Sequence, residues 1–286
     1  MNIISITGGL GNQMFQYALG LTMRNRGMQV EFDISKYEYY KIHNNYELEK
    51  IFHVNDTYAP FEKIVKLGYR KDNRLSRWLQ ASPFRKKTIY TENEELVDMS
   101  VFQQDGKLIK GYWQSELYFM ECANTVRETF QFPEIVKEDK DLYLVSEQIK
   151  NTESVGVHIR RGDYVNHPKY KGLCGKAYYE SAIRFLKKQT GKELNIYIFT
   201  NDTEWVLENL RFDNMHIVDI NNGENSYRDM QLMSLCKYNI IANSSFSWWG
   251  AWLNMNPNKI VVAPRKWTND KFDYSKKIVP KGWIVL

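Results

Sequence analysis

The stretch Ser154-Val155-Gly156-Val157-His158-Ile159-Arg160-Arg161-Gly162-Asp163-Tyr164 decides how the chain is read. It opens as a short apolar run, the pattern of a buried strand. It then breaks into two arginines, a glycine and an aspartate. A strand that ends in charge places that charge at its carboxyl edge, where open α/β sheets bind ligands. Guanidinium groups are planar, permanently charged and matched to phosphate oxygens in pairs. Arg-Arg-x-Asp taken alone reads more simply as an ion pair closing a surface loop. The strand before it and a second anion-type loop further on shift the balance toward phosphate.

Working outward, the second half alternates regularly. The strand at 154–160 is followed by a helical stretch at 176–190 and a strand at 194–200. Then come helix 203–210, strand 215–220, helix 226–237, strand 238–242, helix 246–255 and strand 259–263. Such alternation predicts a parallel, doubly wound sheet with right-handed crossovers. Three strand ends carry polar groups: His158 to Asp163, Thr200-Asn201-Asp202, and Asn243-Ser244-Ser245-Phe246-Ser247. The last opens a helix, so its hydroxyls and free N–H groups make an anion site. A serine N-cap is the commoner use of that pattern. Asp202 reads either as a contact to a ribose or base edge or as the cap of the next helix.

The first half follows the same style less regularly. Residues 2–7 read as a strand, Gly8-Gly9-Leu10-Gly11-Asn12 as a glycine loop, 13–26 as a helix and 28–33 as a strand ending in Asp33. This suggests a dinucleotide fingerprint, but Met14 stands where the third glycine belongs. What survives is a backbone open to close approach, with a helix start behind it. Leu108 to Trp113 reads as a further strand running into Gln114-Ser115-Glu116. Trp and Tyr beside polar groups suit a sugar ring, and an aromatic core cluster accounts for Trp113 equally well. Residues 133–153 are polar, and the domain boundary is placed there, giving an expected division into 1–150 and 151–286.

Bulk properties bound the class. The 286 residues suit two α/β domains. A net charge of +5 is too small to argue for nucleic acid without a clustered patch, and it fits an anionic ligand. Three widely spaced cysteines, Cys122, Cys174 and Cys236, form no metal or disulfide spacing and read as thiols of a reducing compartment. No signal peptide is visible, and no run reaches the roughly 18 apolar residues of a membrane span. Residues 62–87 hold nine Lys/Arg against two acids. A solvated helix face is the favoured reading; a basic amphipathic contact with anionic membrane is the sharper one. The expected location is the cytoplasm, with this segment available to the inner membrane face.

Four motifs carry a resemblance. They are Gly8-Gly9-Leu10-Gly11-Asn12-Gln13-Met14-Phe15-Gln16-Tyr17, Gly111-Tyr112-Trp113-Gln114-Ser115-Glu116, His158 to Tyr164, and Asn243-Ser244-Ser245-Phe246-Ser247-Trp248-Trp249-Gly250. In this order they resemble the bacterial α-1,2-fucosyltransferases of glycosyltransferase family 11 and span nearly the whole chain. The His-x-Arg-Arg-x-Asp motif is similar to those of α-1,6- and protein O-fucosyltransferases too, so it marks donor chemistry rather than linkage. The resemblance implies an α/β GT-B fold, two Rossmann-like domains facing a cleft. It implies an N-terminal acceptor-side domain, a C-terminal donor domain and inverting, metal-independent transfer of L-fucose from GDP-β-L-fucose to the 2-hydroxyl of a terminal galactoside.

By the same resemblance, Arg160 holds the β-phosphate and stabilises the departing GDP. His158 and Asp202 contact the guanosine side. Arg161, Asn243, Ser244, Ser245 and Phe246 complete the donor site. Gly9, Gly11, Asn12, Gln13, Trp113 and Glu116 face the acceptor. No cofactor and no metal are expected, so arginine replaces a divalent ion as the counter-charge. Tyr238 stands where many relatives carry histidine and receives no role. The inverting displacement needs a base. Asp163 is the nearest candidate, though a structural partnership with the arginines fits it better; Glu31, Asp33 and Glu116 are alternatives. Competing readings are a fucosyltransferase of another linkage, a non-catalytic GDP-sugar or glycan-binding module, and a nicotinamide oxidoreductase using Gly9, Gly11 and Asp33.

Overall fold

The computed structural model describes residues 1–39, 44–68, 78, 87–272 and 274–286. They divide into two compact units, Met1–Gln131 and Phe132–Leu286.

The first unit is built on a four-stranded parallel sheet in the order β2-β1-β4-β3. Its strands are β1 (Asn2–Ser5), β2 (Val30–Asp33), β3 (Ile89–Thr91) and β4 (Leu108–Lys110). The first long helix, α1 (Leu10–Asn25), buries Met14, Phe15, Tyr17, Ala18 and Leu19. It begins at Leu10, earlier than the helix expected from residue 13, so Leu10, Gly11 and Asn12 belong to its first turn rather than to a loop. Mid-helix Gly20 is a packing residue. A Cβ there would lie 2.4 Å from Phe32 Cζ, so glycine lets α1 close onto β2. Short helices α2 (Lys36–Tyr39), α3 (Leu48–Phe52), α4 (Phe61–Leu67) and α5 (Ala123–Thr129) complete the unit. The basic 62–87 segment falls largely outside the described residues.

The second unit carries a six-stranded parallel sheet in the order β10-β9-β8-β5-β6-β7. Its strands are β5 (Ser154–Ile159), β6 (Asn195–Thr200), β7 (Met215–Val218), β8 (Tyr238–Ile240), β9 (Val261–Ala263) and β10 (Ile284–Val285). Every residue of β5 is buried, as its apolar run requires. Helices α6 (Lys140–Asn151), α7 (Lys176–Thr190), α8 (Thr203–Asn209), α9 (Tyr227–Leu235), α10 (Ser245–Leu253) and α11 (Ser275–Ile278) alternate with or flank the strands. The expected boundary at 150/151 differs from this division. Helix α6 buries Leu142, Ser146 and Ile149 and packs against α9 and β5, so burial ties it to the second sheet.

Both units show the parallel α/β architecture of the expected GT-B class. In the second sheet the chain moves from β5 outward through β6 and β7, then returns to β8 on the other side of β5 and moves out through β9 to β10. The β5/β8 boundary is therefore the topological switch point, where ligands bind in sheets of this kind.

Candidate nucleotide-sugar site

Strands β5 and β8 pair directly, with Val155 opposite Tyr238 and Val157 opposite Ile240. Their carboxyl ends therefore emerge side by side, carrying His158 to Asp163 and Asn243 to Ser245. The His158 ring lies 5.7 Å from that of Phe246, and Tyr164 Oη donates to the Asn243 carbonyl at 3.4 Å. The two motifs form one site.

The two arginines differ in employment. Arg161 donates from Nε to Asp202 at 2.9 Å and lies over the Trp205 ring at 4.2 Å. Its backbone N–H donates to Asn201 Oδ1, so it ties the end of β5 to the end of β6. Arg160 sets Nη2 2.9 Å from Asp163 Oδ1 and lies 5.6 Å from the Tyr164 ring centre. Its Nε is buried and has no partner among the described residues. Asp163 is more exposed than Arg160 and serves as its ion-pair partner.

His158 is buried, and its Nδ1 also lacks a partner among the described residues. Burial, helped by the neighbouring Arg160 charge, pushes its pKa down to about 3, so the ring is neutral at pH 7. Buried polar atoms without partners are rare enough to need a reason. Two at one strand end, beside a helix start, suggest hydrogen bonds completed by a ligand.

Asp202 spends Oδ1 on the Trp205 N–H as the cap of α8 and Oδ2 on Arg161. Of its two sequence readings, the structure displays the helix cap. Ser244 caps α10, its Oγ accepting the Phe246 N–H at 3.3 Å. Asn243 is buried and donates to the Trp267 carbonyl, while Ser245 and Phe246 are half-buried at the helix start. Gly162 packs against the β6 end: a Cβ there would meet Asn201 Nδ2 at 2.4 Å.

One group at this sheet edge escaped the sequence reading. Asp229 lies in the first turn of α9 and accepts from Asn221 Nδ2 at 2.7 Å. Burial first, and then Asp219, push its carboxyl up to about 7. A lone acid in an amphipathic helix gives no sequence signal of burial.

In the first unit the glycine motif behaves differently from a flexible loop. Gly8 has φ +87°, whereas Gly9 is the extended N-cap of α1 and Gly11 is buried within the helix. Gln13 is fully buried, donating to the Gly8 and Asn45 carbonyls and accepting from the Glu47 N–H. Such a side chain is framework and offers no free edge to an acceptor. Trp113 is likewise 0% exposed and provides no open face for a sugar; Tyr112 beside it is 43% exposed. Asn12 is half-buried and accepts from Gln114 Nε2 at 2.6 Å. Glu116 opens a short 3-10 turn and is half-buried. Among the alternative bases, Glu31 pairs with Lys63 at 2.6 Å, and Asp33 accepts from Ser35 in a local turn. Tyr238 points its hydroxyl to Glu153, away from any assigned role.

Among the described residues, no group of three or more His, Cys, Asp or Glu side chains is placed to hold a metal ion. No helix among them is long and apolar enough to cross a membrane.

Comparison with known proteins places the chain. It matches Glycosyl transferase family 11 over residues 1–286. It is 35% identical over 298 residues to an Escherichia coli alpha-1,2-colitosyltransferase, covering 99% of this chain and 97% of that protein. It is 32% identical over 305 residues to the E. coli O-antigen biosynthesis glycosyltransferase WbnK, covering 98% and 99%. In fold it is similar to the NodZ alpha-1,6-fucosyltransferase soaked with GDP-fucose, with a TM-score of 0.51 at 17% identity, over 88% of this chain and 92% of that one. The NodZ protein is from Bradyrhizobium. With strand-end arginines at the switch point and a match along all 286 residues, the chain belongs to glycosyltransferase family 11.

Proposed function

We propose that the protein transfers L-fucose from GDP-β-L-fucose to the 2-hydroxyl of a terminal galactoside, with inversion and without a metal ion. The observation that carries this reading is the pair of unpartnered buried nitrogens, Arg160 Nε and His158 Nδ1, at one strand end beside the start of α10. A nucleotide diphosphate supplies the acceptor atoms that Arg160 Nε lacks and polar atoms to pair with His158 Nδ1. The donor sugar is the one named for the NodZ structure, and the α-1,2 linkage is the one named for the E. coli colitosyltransferase.

In this reading Arg160 neutralises charge that grows on the β-phosphate as the glycosyl bond breaks. Fixed donors aimed at developing charge are a main source of catalysis. The N–H groups opening α10 and the Ser245 hydroxyl add to that field. Arg161 and Asp202 act as bracing, holding the ends of β5 and β6 in register. Asp163, already oriented by Arg160, is the site's candidate to receive the acceptor proton.

A second reading is favoured by the E. coli relative: the transferred sugar is colitose. Both are tested by one experiment. Purified protein is incubated in EDTA with GDP-fucose, or with a colitosyl donor, and a panel of galactosides; products are resolved by NMR for linkage. Consumption of GDP-fucose with an α-1,2 product supports the first reading. GDP binding with no transfer to any acceptor would reduce the protein to a binding module.

A further inference from the structure

The first unit holds a clamp that the sequence does not announce. Strand β4 was expected to run to residue 113 and instead stops at Lys110. Gly111 then adopts φ +152° and Trp113 φ +56°. A bulky residue in the left-handed region is strained and persists only where its surroundings enforce it. The enforcing group is Glu92, a buried carboxylate just beyond β3. Its Oε2 accepts the backbone N–H of both Tyr112 and Trp113, each at 2.8 Å. Gly111 fits beside it because it lacks a Cβ, which would lie 2.4 Å from Glu92 Cβ.

The clamp shapes a surface. Gln16 sews the ends of β1 and β4 together, accepting the Thr7 N–H and donating to the Gly111 carbonyl. The turn leaves Trp113 inside and sends Tyr112 out. Burial raises the pKa of the Tyr37 phenol, with smaller upward pushes from Glu47 and then Tyr112, and Tyr37 donates to the Gly8 carbonyl at 2.7 Å. Gln114 reaches Asn12 on the first turn of α1. Tyr112 is exposed and precedes Gln114 by two residues on this turn, and an aromatic ring on a turn that also carries amides matches a pyranose, which has an apolar face and hydroxyl edges.

We propose that Glu92 is a positioning residue for a glycan acceptor bound over the ends of β1 and β4, with the Tyr112 ring as its stacking face and the Asn12–Gln114 amides as its hydroxyl contacts. The proposal rests on the reading above only for the identity of the glycan, a galactoside.

Saturation-transfer NMR with methyl β-D-galactopyranoside and lactose tests it, alongside a GDP thermal shift on every variant. The wild-type protein is expected to transfer saturation to at least one of the two sugars. Tyr112→Ala removes an exposed side chain, so it folds; it should cut the signal at least fivefold and leave the GDP shift unchanged. Glu92→Leu should do the same. Glu92→Gln, whose amide oxygen still accepts both N–H groups, should retain most of the signal. Where transfer to the same galactoside is measurable, the variants should raise acceptor KM well before they lower kcat. Undiminished sugar contact in Tyr112→Ala, or no contact in the wild type, overturns the proposal. A sugar signal without any GDP shift would instead refute the donor reading and leave this surface standing.

Discussion

The His158 ring on β5 and the Phe246 ring on α10 stand 5.7 Å apart, tilted by 39° across the switch point of the second sheet. Parallel pairing of β5 with β8 brings the two motifs together, and burial keeps the histidine neutral. The sign of its pH effect follows. Its pKa falls to about 3 in the folded chain, against roughly 6.5 unfolded. The unfolded state therefore gains a proton the folded state refuses, and stability is lost as pH falls from about 6.5 toward 3. His158→Gln should be more acid-tolerant than wild type, by about 3 kcal/mol at pH 4.5, and indistinguishable in that respect at pH 7.5. Urea titrations at the two pH values measure it; an equal wild-type loss in the variant contradicts it.

Asp229 gives the opposite slope. Its carboxyl is pushed up to about 7 by burial first and by Asp219. The folded state binds the proton more tightly than the unfolded one, so stability is greatest below about pH 4 and falls as pH rises through 7. Asp229→Asn keeps an oxygen for the Asn221 amide and removes the charge. Its melting temperature should match wild type near pH 4 and exceed it at pH 8, the gap representing a few kcal/mol at most. Equal melting at pH 8 would show that Asp229 carries no such cost.

Gly20→Ala sets two effects against each other. Alanine favours a helix over glycine by about 1 kcal/mol. The new Cβ would lie 2.4 Å from Phe32 Cζ, and Phe32 is fully buried and stacked on Tyr17 at 4.7 Å. Overpacking of this kind costs about 1–3 kcal/mol. The clash should win, lowering the melting temperature by several degrees; a rise would show that the ring moves freely.

Asp202→Ala removes both a helix cap and the Nε partner of Arg161. Loss of the cap alone costs about 1 kcal/mol. Calorimetry should show that loss, and GDP affinity should fall severalfold as the β5–β6 brace loosens. GDP affinity equal to wild type would separate the brace from the donor site.

Much of the second unit is legible in the sequence because each strand is short, apolar and closed by a polar turn. Ser154–Ile159 and Ser245–Leu253 both appear close to where they are expected. The first unit is harder to read. Gly9 and Gly11 suggest a loop, yet α1 starts at Leu10, because an extended Gly9 caps it and Gln13 stitches its first turn to Gly8 and Asn45. Trp113 looks like a platform for sugar, but one left-handed residue buries it and turns Tyr112 outward. Glu92 stands beside the acidic pair Glu94 and Glu95, so composition hides a buried carboxylate among exposed ones. Asp229 is hidden likewise, because which acid of a helix faces the protein is settled by packing from α10 and the sheet. Strands β3 and β10, of three and two residues, carry too few side chains to show a period.

In the proposed function, Arg160 and the start of α10 hold a nucleotide diphosphate without a cation. Calorimetric titration of GDP into the wild-type protein and Arg160→Ala, both in EDTA, tests it most directly. A charged hydrogen bond of about 1.5–3 kcal/mol corresponds to roughly 10- to 150-fold in affinity. The wild type should bind in EDTA, and Arg160→Ala should weaken binding by at least tenfold. Affinity unchanged in Arg160→Ala, or wild-type binding abolished by EDTA, would contradict it.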